Sequence, residues 1–182
     1  MKQVAALALS LALLGCSEVD HPGSSYQVYL DPKFTTEQQG QVIAGAQAWV
    51  DQTQNSPHPL SVTFNIADVT CDNNCYGVIT VHAWTAEQMK VFRNGPRDEY
   101  GNTERVWQYR LLSGENGSSD YSNIYMDIDQ PAHWFQQTAT HEVGHALALQ
   151  HTGEGTLMCA YTSCAAHEIT SADVQQYNDL RR

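Results

Sequence analysis

The chain has 182 residues, of which 42% are hydrophobic and 16% are charged, and its formal net charge at pH 7 is −11. This composition fits one globular domain with a hydrophobic core and excludes a disordered or fibrous chain. The acidic balance repels phosphate groups, which argues against a nucleic-acid partner.

The N-terminal segment predicts export. Lys2 precedes an apolar run over residues 4–14 that is too short to cross a bilayer as a helix, and Cys16 follows shortly after it. This pattern resembles a bacterial lipoprotein signal, in which residues 1–15 are removed and Cys16 carries the lipid; an ordinary secretory signal is the alternative. The resemblance implies a domain held on the cell envelope through its N-terminal lipid only, and Ser17 favours the outer membrane over the inner one.

The next elements are predicted from composition and periodicity. Residues 16–25 are polar and indicate a tether, and residues 26–182 form the domain, which opens with a strand at Tyr26–Leu30. Apolar residues at helical spacing predict a helix over about Glu37–Gln52, with Thr36 and Gln39 in a capping-box pattern. Alternating or continuous apolar runs predict three more strands, at Leu60–Ile66, Gly77–Trp84 and Asn123–Asp129.

The stretch Met89–Asp120 gives no clear element. It carries five of the eight basic residues that follow the predicted signal, and these indicate a solvated face. Its last eight residues, SGENGSSD, predict a flexible loop.

Four further cysteines form two local pairs, CDNNC (Cys71, Cys75) and CAYTSC (Cys159, Cys164). An even number of cysteines in an exported chain predicts disulfides, and local pairing is the simplest of the three connectivities. A second zinc site of four thiolates is the alternative, although these spacings lack the two-residue gap typical of zinc ribbons.

The segment THEVGHALALQH, residues 140–151, carries the chemistry. His141 and His145 lie four residues apart, so on a helix they present two imidazoles to one metal, and Glu142 can take a proton from a metal-bound water. His151 follows six residues later, and a continuing helix would turn it away. The helix must therefore break if His151 is the third ligand, with the fourth position open to water and substrate.

The same segment, HEVGHALALQH, resembles the extended zinc motif of the metzincin peptidases. In that motif a glycine ends the helix in a sharp turn that returns the third histidine to the metal, and here Ala148 stands at the glycine position. A left-handed conformation costs alanine about 1 kcal/mol relative to glycine, which is small beside the ~10 kcal/mol that zinc binding can contribute. We therefore expect His151 to bind the metal.

The resemblance extends over about Tyr26–Leu180 and is greatest to the matrixin branch. GTLMCAY places Met158 at the family's methionine turn, packing beneath the metal rather than binding it. EITSADVQQYNDL looks like the C-terminal helix, with Thr170 and Asp173 in a capping box. The implied fold is an α/β (α+β) zincin-like domain with a twisted mixed sheet, a backing helix, an active-site helix, a methionine turn and a C-terminal helix.

The resemblance implies a zinc endopeptidase that hydrolyses protein or peptide substrates, with Glu142 as general base. We expect the domain to be a monomer. Tyr161 would stabilise the oxyanion or pack in the pocket wall. A calcium ion would suit the acidic charge, although no calcium loop motif is visible. His82 and His133 are interpreted as structural.

Three alternatives remain. Glu168 could supply the third ligand, as a downstream glutamate does in gluzincins. The chain could instead be a binding protein that kept the metal and lost turnover, or an envelope lipoprotein whose metal serves stability alone.

Overall fold

The computed structural model describes residues 24–69, 77–92, 101–108, 119–160 and 166–182. The strands of this part of the chain are β1 (Ser25–Leu30), β2 (Ser61–Ile66), β3 (Val78–Trp84), β4 (Gly101–Gln108) and β5 (Ser119–Asp127). The helices described there are α1 (Thr36–Thr53), α2 (Ala86–Phe92), α3 (Ala132–Ala146) and α4 (Ser171–Asp179). The α/β class is therefore confirmed.

The strands form one sheet in the order β2-β1-β3-β5-β4. The first four strands in this order run parallel, and β4 pairs antiparallel with β5 at the edge. Strand β5 leads through a short turn into α3, so the edge formed by β4 and β5 lies next to the helix that carries the histidine motif.

The hydrophobic core lies between one face of the sheet and the helices α1 and α3. Each element contributes residues at its own period, two along the strands and three to four along the helices. The sheet contributes Val28, Leu30, Ile79, Val81, Ile124 and Met126; the helices contribute Val42, Ala46, Trp49, Phe135, Ala139 and Val143.

Helix α1 supports α3 from behind at close range. A Cβ atom on Gly45 would come within 2.9 Å of the Thr140 backbone nitrogen, so only glycine allows this approach. One turn along α1, the fully buried indole of Trp49 donates a 2.8 Å hydrogen bond to the Thr140 carbonyl. Helix α1 therefore holds Thr140, the residue before His141, in position.

Two boundaries differ from the sequence prediction. Helix α1 begins one residue earlier, because Thr35 and Gln38 make the capping box predicted for Thr36 and Gln39. Phe34 is buried and packs edge-on against Phe135, which makes Thr35 the last extended residue before the helix. The C-terminal box of Thr170 and Asp173 is confirmed.

Strand β5 covers Ser119–Asp127, whereas the sequence predicts a strand at Asn123–Asp129. Strand β5 already begins at Ser119, within the predicted SGENGSSD loop, because it pairs with both β3 and β4. It ends at Asp127, whose carboxylate accepts a hydrogen bond from the Asp129 backbone and starts a turn. The sequence prediction also missed α2 and β4, both of which overlap the uninterpreted stretch Met89–Asp120.

Within the described residues, no helix has the length and apolar character needed to cross a membrane.

Candidate metal centre

Three histidines converge at the end of α3. His141 and His145 lie one turn apart on the helix, and the following segment returns His151 to them. Their potential ligand atoms all lie within 4.8 Å of one another, and Nε2 of His145 is 3.0 Å from Nε2 of His151. Such a group of imidazoles can hold a metal ion.

Hydrogen bonds on the far side of two rings fix their orientation. Nδ1 of His141 lies 2.8 Å from the Leu157 carbonyl oxygen, and Nδ1 of His145 lies 2.9 Å from the Leu149 carbonyl oxygen. A carbonyl oxygen only accepts, so each Nδ1 carries the proton and each Nε2 keeps a lone pair. This arrangement is typical of metal-binding histidines, so the residues present fit a divalent metal.

The surroundings of His145 keep its ring neutral. Burial lowers its pKa to about 4, assisted by the neighbouring His141 and His151 and opposed by the hydrogen bond to Leu149. The ring is therefore unprotonated at neutral pH, and an unprotonated imidazole is the form that binds a metal.

The break after α3 occurs at Ala148. Among the described residues, it is the non-glycine residue with a positive φ, at 79°. Its N–H donates to the His145 carbonyl at 2.9 Å, and the N–H of Leu149 donates to the Gly144 carbonyl at 3.0 Å. These paired bonds are those of a helix end with a left-handed residue, so alanine adopts here the conformation that glycine usually supplies.

Replacing Ala148 with glycine should therefore stabilise the domain. Glycine adopts the left-handed conformation without the Cβ penalty, so we expect a gain of up to about 1 kcal/mol, reduced by the greater freedom of the unfolded chain. Thermal unfolding of the metal-loaded protein would measure it. Ala148→Val is the opposing control, since a β-branched residue tolerates a positive φ poorly; equal melting temperatures for both variants would contradict this account of the turn.

Gly144 connects the histidine helix to the predicted methionine turn. It lies between the two helical histidines, and a Cβ atom there would overlap the Met158 side chain and come within 3.0 Å of the Trp49 ring. Met158 is fully buried against this point. The residue before Met158 also contacts the site, because the Leu157 carbonyl oxygen accepts a hydrogen bond from Nδ1 of His141.

Asp173 of α4 holds the Met158 segment. Its fully buried carboxylate accepts hydrogen bonds from the backbone N–H of Leu157 at 3.1 Å and of Met158 at 3.2 Å. The same carboxylate accepts from Thr170, which closes the capping box. The C-terminal helix is thus hydrogen-bonded directly to the Met158 segment, which packs against the histidine helix.

Glu142 follows His141 on α3 and is buried, with 6% exposure. A buried carboxylate next in sequence to a candidate metal ligand can serve as the proton acceptor of a metal centre.

Other residues singled out in the sequence have different placements. Glu168 is exposed before α4 and is not part of the group that could hold a metal. His82 stacks on Tyr125 and lies 3.1 Å from the Asn123 side-chain oxygen, and His133 is exposed beside Trp134. These contacts fit a structural reading of both histidines.

Several predicted residues lie outside the described ranges, namely Cys16, Cys71, Cys75, Tyr161 and Cys164. Cys159 is described and is buried, with 6% exposure. The two disulfides, the role of Tyr161 and the lipid on Cys16 therefore remain predictions.

Sequence reasoning missed three supporting residues. Gly144 had a signal, because a glycine inside a helix costs stability and indicates close packing. Asp173 was identified only as a helix cap, and its bonds to the Met158 segment had no sequence signal. Arg181, which contacts the end of α3, had none either.

Comparison with solved structures gives the same class of fold. A crystal structure of metalloproteinase-II from Bacteroides fragilis matches with a TM-score of 0.51 and 12% sequence identity. The match covers 90% of this chain and 55% of that one, so this chain spans about half the length of that protein. The chain therefore has a fold similar to that of a metalloproteinase. No protein-family model matches the chain, and no curated protein matches it.

Proposed function

We propose that this protein is a zinc-dependent endopeptidase of the metzincin type, similar to the matrixin branch. The observation that carries the proposal is the convergence of His141, His145 and His151 through the left-handed turn at Ala148. The motif implies this turn, and an unrelated helix with scattered histidines would not need it.

The three histidines would hold the metal through Nε2, since two of them use Nδ1 for backbone carbonyls. When bound there, zinc supplies Lewis-acid polarisation of the scissile carbonyl and lowers the pKa of a bound water. Three protein ligands leave a position for water and substrate, as in catalytic zinc sites.

Glu142 would act as general base and then as general acid. Its carboxylate would accept a proton from the attacking water and pass that proton to the nitrogen of the leaving amine. The support for this role is the position of Glu142 on α3, next in sequence to His141.

The sheet edge offers a place for an extended substrate. Strand β4 is one of the two edge strands of the described sheet, and it pairs antiparallel with β5, the strand that leads into α3. A peptide added alongside β4 would run as a further strand past the histidines, bound by main-chain hydrogen bonds. Substrates would therefore be protein or peptide segments in extended conformation.

The test is incubation of the purified mature domain with a mixed peptide library, followed by mass spectrometry. Internal cleavage that stops with a chelator and returns with zinc is the expected result. The absence of cleavage by a protein that binds one zinc per chain would contradict the peptidase proposal.

The second candidate is a zinc-containing envelope protein with weak or no turnover, which binds or stabilises rather than cleaves. It fits the low identity to the metalloproteinase structure, which shows the fold alone. A metal with its fourth position closed by protein would favour this candidate.

For the location of the protein we propose lipid attachment through Cys16 in the bacterial cell envelope, with a monomeric domain outside the cytoplasm. The support is the sequence of residues 1–16. Cys16→Ser should release the protein from the membrane fraction into the soluble one, because the acyl chains provide the attachment. Membrane fractionation that is unchanged in Cys16→Ser would reject lipidation.

A further inference from the structure

The last backbone carbonyls of α3 and the carbonyl of Leu147, which follows the helix, all accept hydrogen bonds. Those of Gly144 and His145 accept from the turn itself, through the N–H groups of Leu149 and Ala148. The Ala146 carbonyl accepts from the hydroxyl of Ser122 on β5, at 3.4 Å. The carbonyl of Leu147, the residue immediately before the left-handed turn, accepts from a residue outside these elements.

Arg181 binds that carbonyl from the far end of the chain. Its Nη2 lies 3.4 Å from the Leu147 oxygen, and its Nη1 donates to the Tyr177 carbonyl at 3.1 Å. The guanidinium carbon stands 3.7 Å from the centre of the Tyr177 ring. Arg181 is only 4% exposed, so its orientation is fixed by packing as well as by these bonds.

We propose that Arg181 is a positioning residue for the third metal ligand. By holding the Leu147 carbonyl, the guanidinium keeps the chain in the turn at Ala148 and so delivers His151 to His141 and His145. This proposal rests on the proposed metal site, although it concerns the stability of the ligand arrangement and not the reaction.

The alanine in the turn makes this support necessary. A glycine would adopt φ near 79° without strain, whereas Ala148 needs the surrounding structure to hold it there. A cation at a helix C-terminus also interacts favourably with the carbonyl end of the helix dipole. The guanidinium thus acts on the residue next to the strained Ala148. Its planar group donates to the carbonyls of Leu147 and Tyr177 at the same time.

Zinc affinity of Arg181→Met tests the proposal directly. Methionine keeps an apolar side chain over the Tyr177 ring but donates no hydrogen bond. Competition with a chromogenic chelator should give a zinc affinity about 10- to 100-fold weaker than that of the unmodified protein, the usual cost of losing an outer-sphere partner. The matched control is Arg182→Met, which removes the neighbouring exposed arginine and its ion pair with Asp179 and should leave affinity unchanged.

A second substitution separates positioning from general stability. Adding Ala148→Gly to Arg181→Met should recover about fivefold of the lost affinity, because glycine holds the turn with less support. A role in overall stability alone would lower the melting temperature of the metal-free protein and leave zinc affinity, measured well below that temperature, at its original value.

The outcomes are distinct. Equal zinc affinity in Arg181→Met and the unmodified protein would overturn this proposal and leave the proposed function standing. Failure of the unmodified protein to bind zinc would overturn both. Should Arg181→Met not fold, Arg181→Lys carries the test: one ammonium cannot reproduce the two-carbonyl fork, so faster zinc release is expected, and release at the original rate would reject the proposal.

Discussion

Replacing Glu142 with alanine should leave the fold and the zinc in place while peptidase activity falls by about 10²- to 10⁴-fold. The metal would be held by the three histidine nitrogens, so a carboxylate that is not a ligand could be removed without releasing it. The expected loss falls on kcat, because the proton transfer in the transition state has lost its acceptor.

The measurement combines zinc content, thermal unfolding and cleavage of one peptide identified in the library. Glu154→Ala is a matched control, since Glu154 is an exposed glutamate in the segment between His151 and Met158 and should not alter turnover. Undiminished cleavage by Glu142→Ala would show that another group moves the proton. Loss of zinc in this variant would instead show that the carboxylate belongs to the metal site.

The histidine arrangement could be predicted from sequence because it depends on local chemistry. The spacing of His141 and His145 predicts a helix, and a ligand role for His151 requires that helix to end before it. The resemblance to the metzincin motif then implied that the turn falls at Ala148. The observed φ of 79° is the conformation on which that reasoning depended. The capping residues could also be predicted from sequence. Thr35 and Thr36 are both suitable N-caps one residue apart, and the structure uses Thr35.

The parts that could not be predicted depend on contacts between distant segments. Strand β4 carries no strong apolar alternation, and its position follows from pairing with β5 at the edge of the sheet. The bonds from Asp173 to the Met158 segment and from Arg181 to Leu147 join residues 15 or more positions apart. Neither bond has a local pattern that periodicity or composition would reveal.

The C-terminal segment contacts the region of the site through two residues, Asp173 on α4 and Arg181 after it, and the loss of Asp173 should cost the most stability. Its carboxylate is fully buried and accepts from two backbone N–H groups of the Met158 segment and from the backbone and hydroxyl of Thr170. Removal of the acceptor would leave buried donors without partners, at about 1–3 kcal/mol each.

We therefore expect Asp173→Ala to destabilise the domain by about 3–5 kcal/mol, measured by denaturant unfolding of the zinc-loaded protein. Asp173→Asn should also destabilise it, because an amide keeps one acceptor oxygen and turns an NH₂ group toward backbone donors. Asp179→Asn on the exposed side of the same helix is the matched control and should change stability by less than about 0.5 kcal/mol.

The Leu157 carbonyl binds His141, so a loosened Met158 segment should also weaken zinc binding in the Asp173 variants. If Asp173→Ala destabilises the domain by less than about 1 kcal/mol, the assignment of Asp173 as the residue that holds the Met158 segment is wrong.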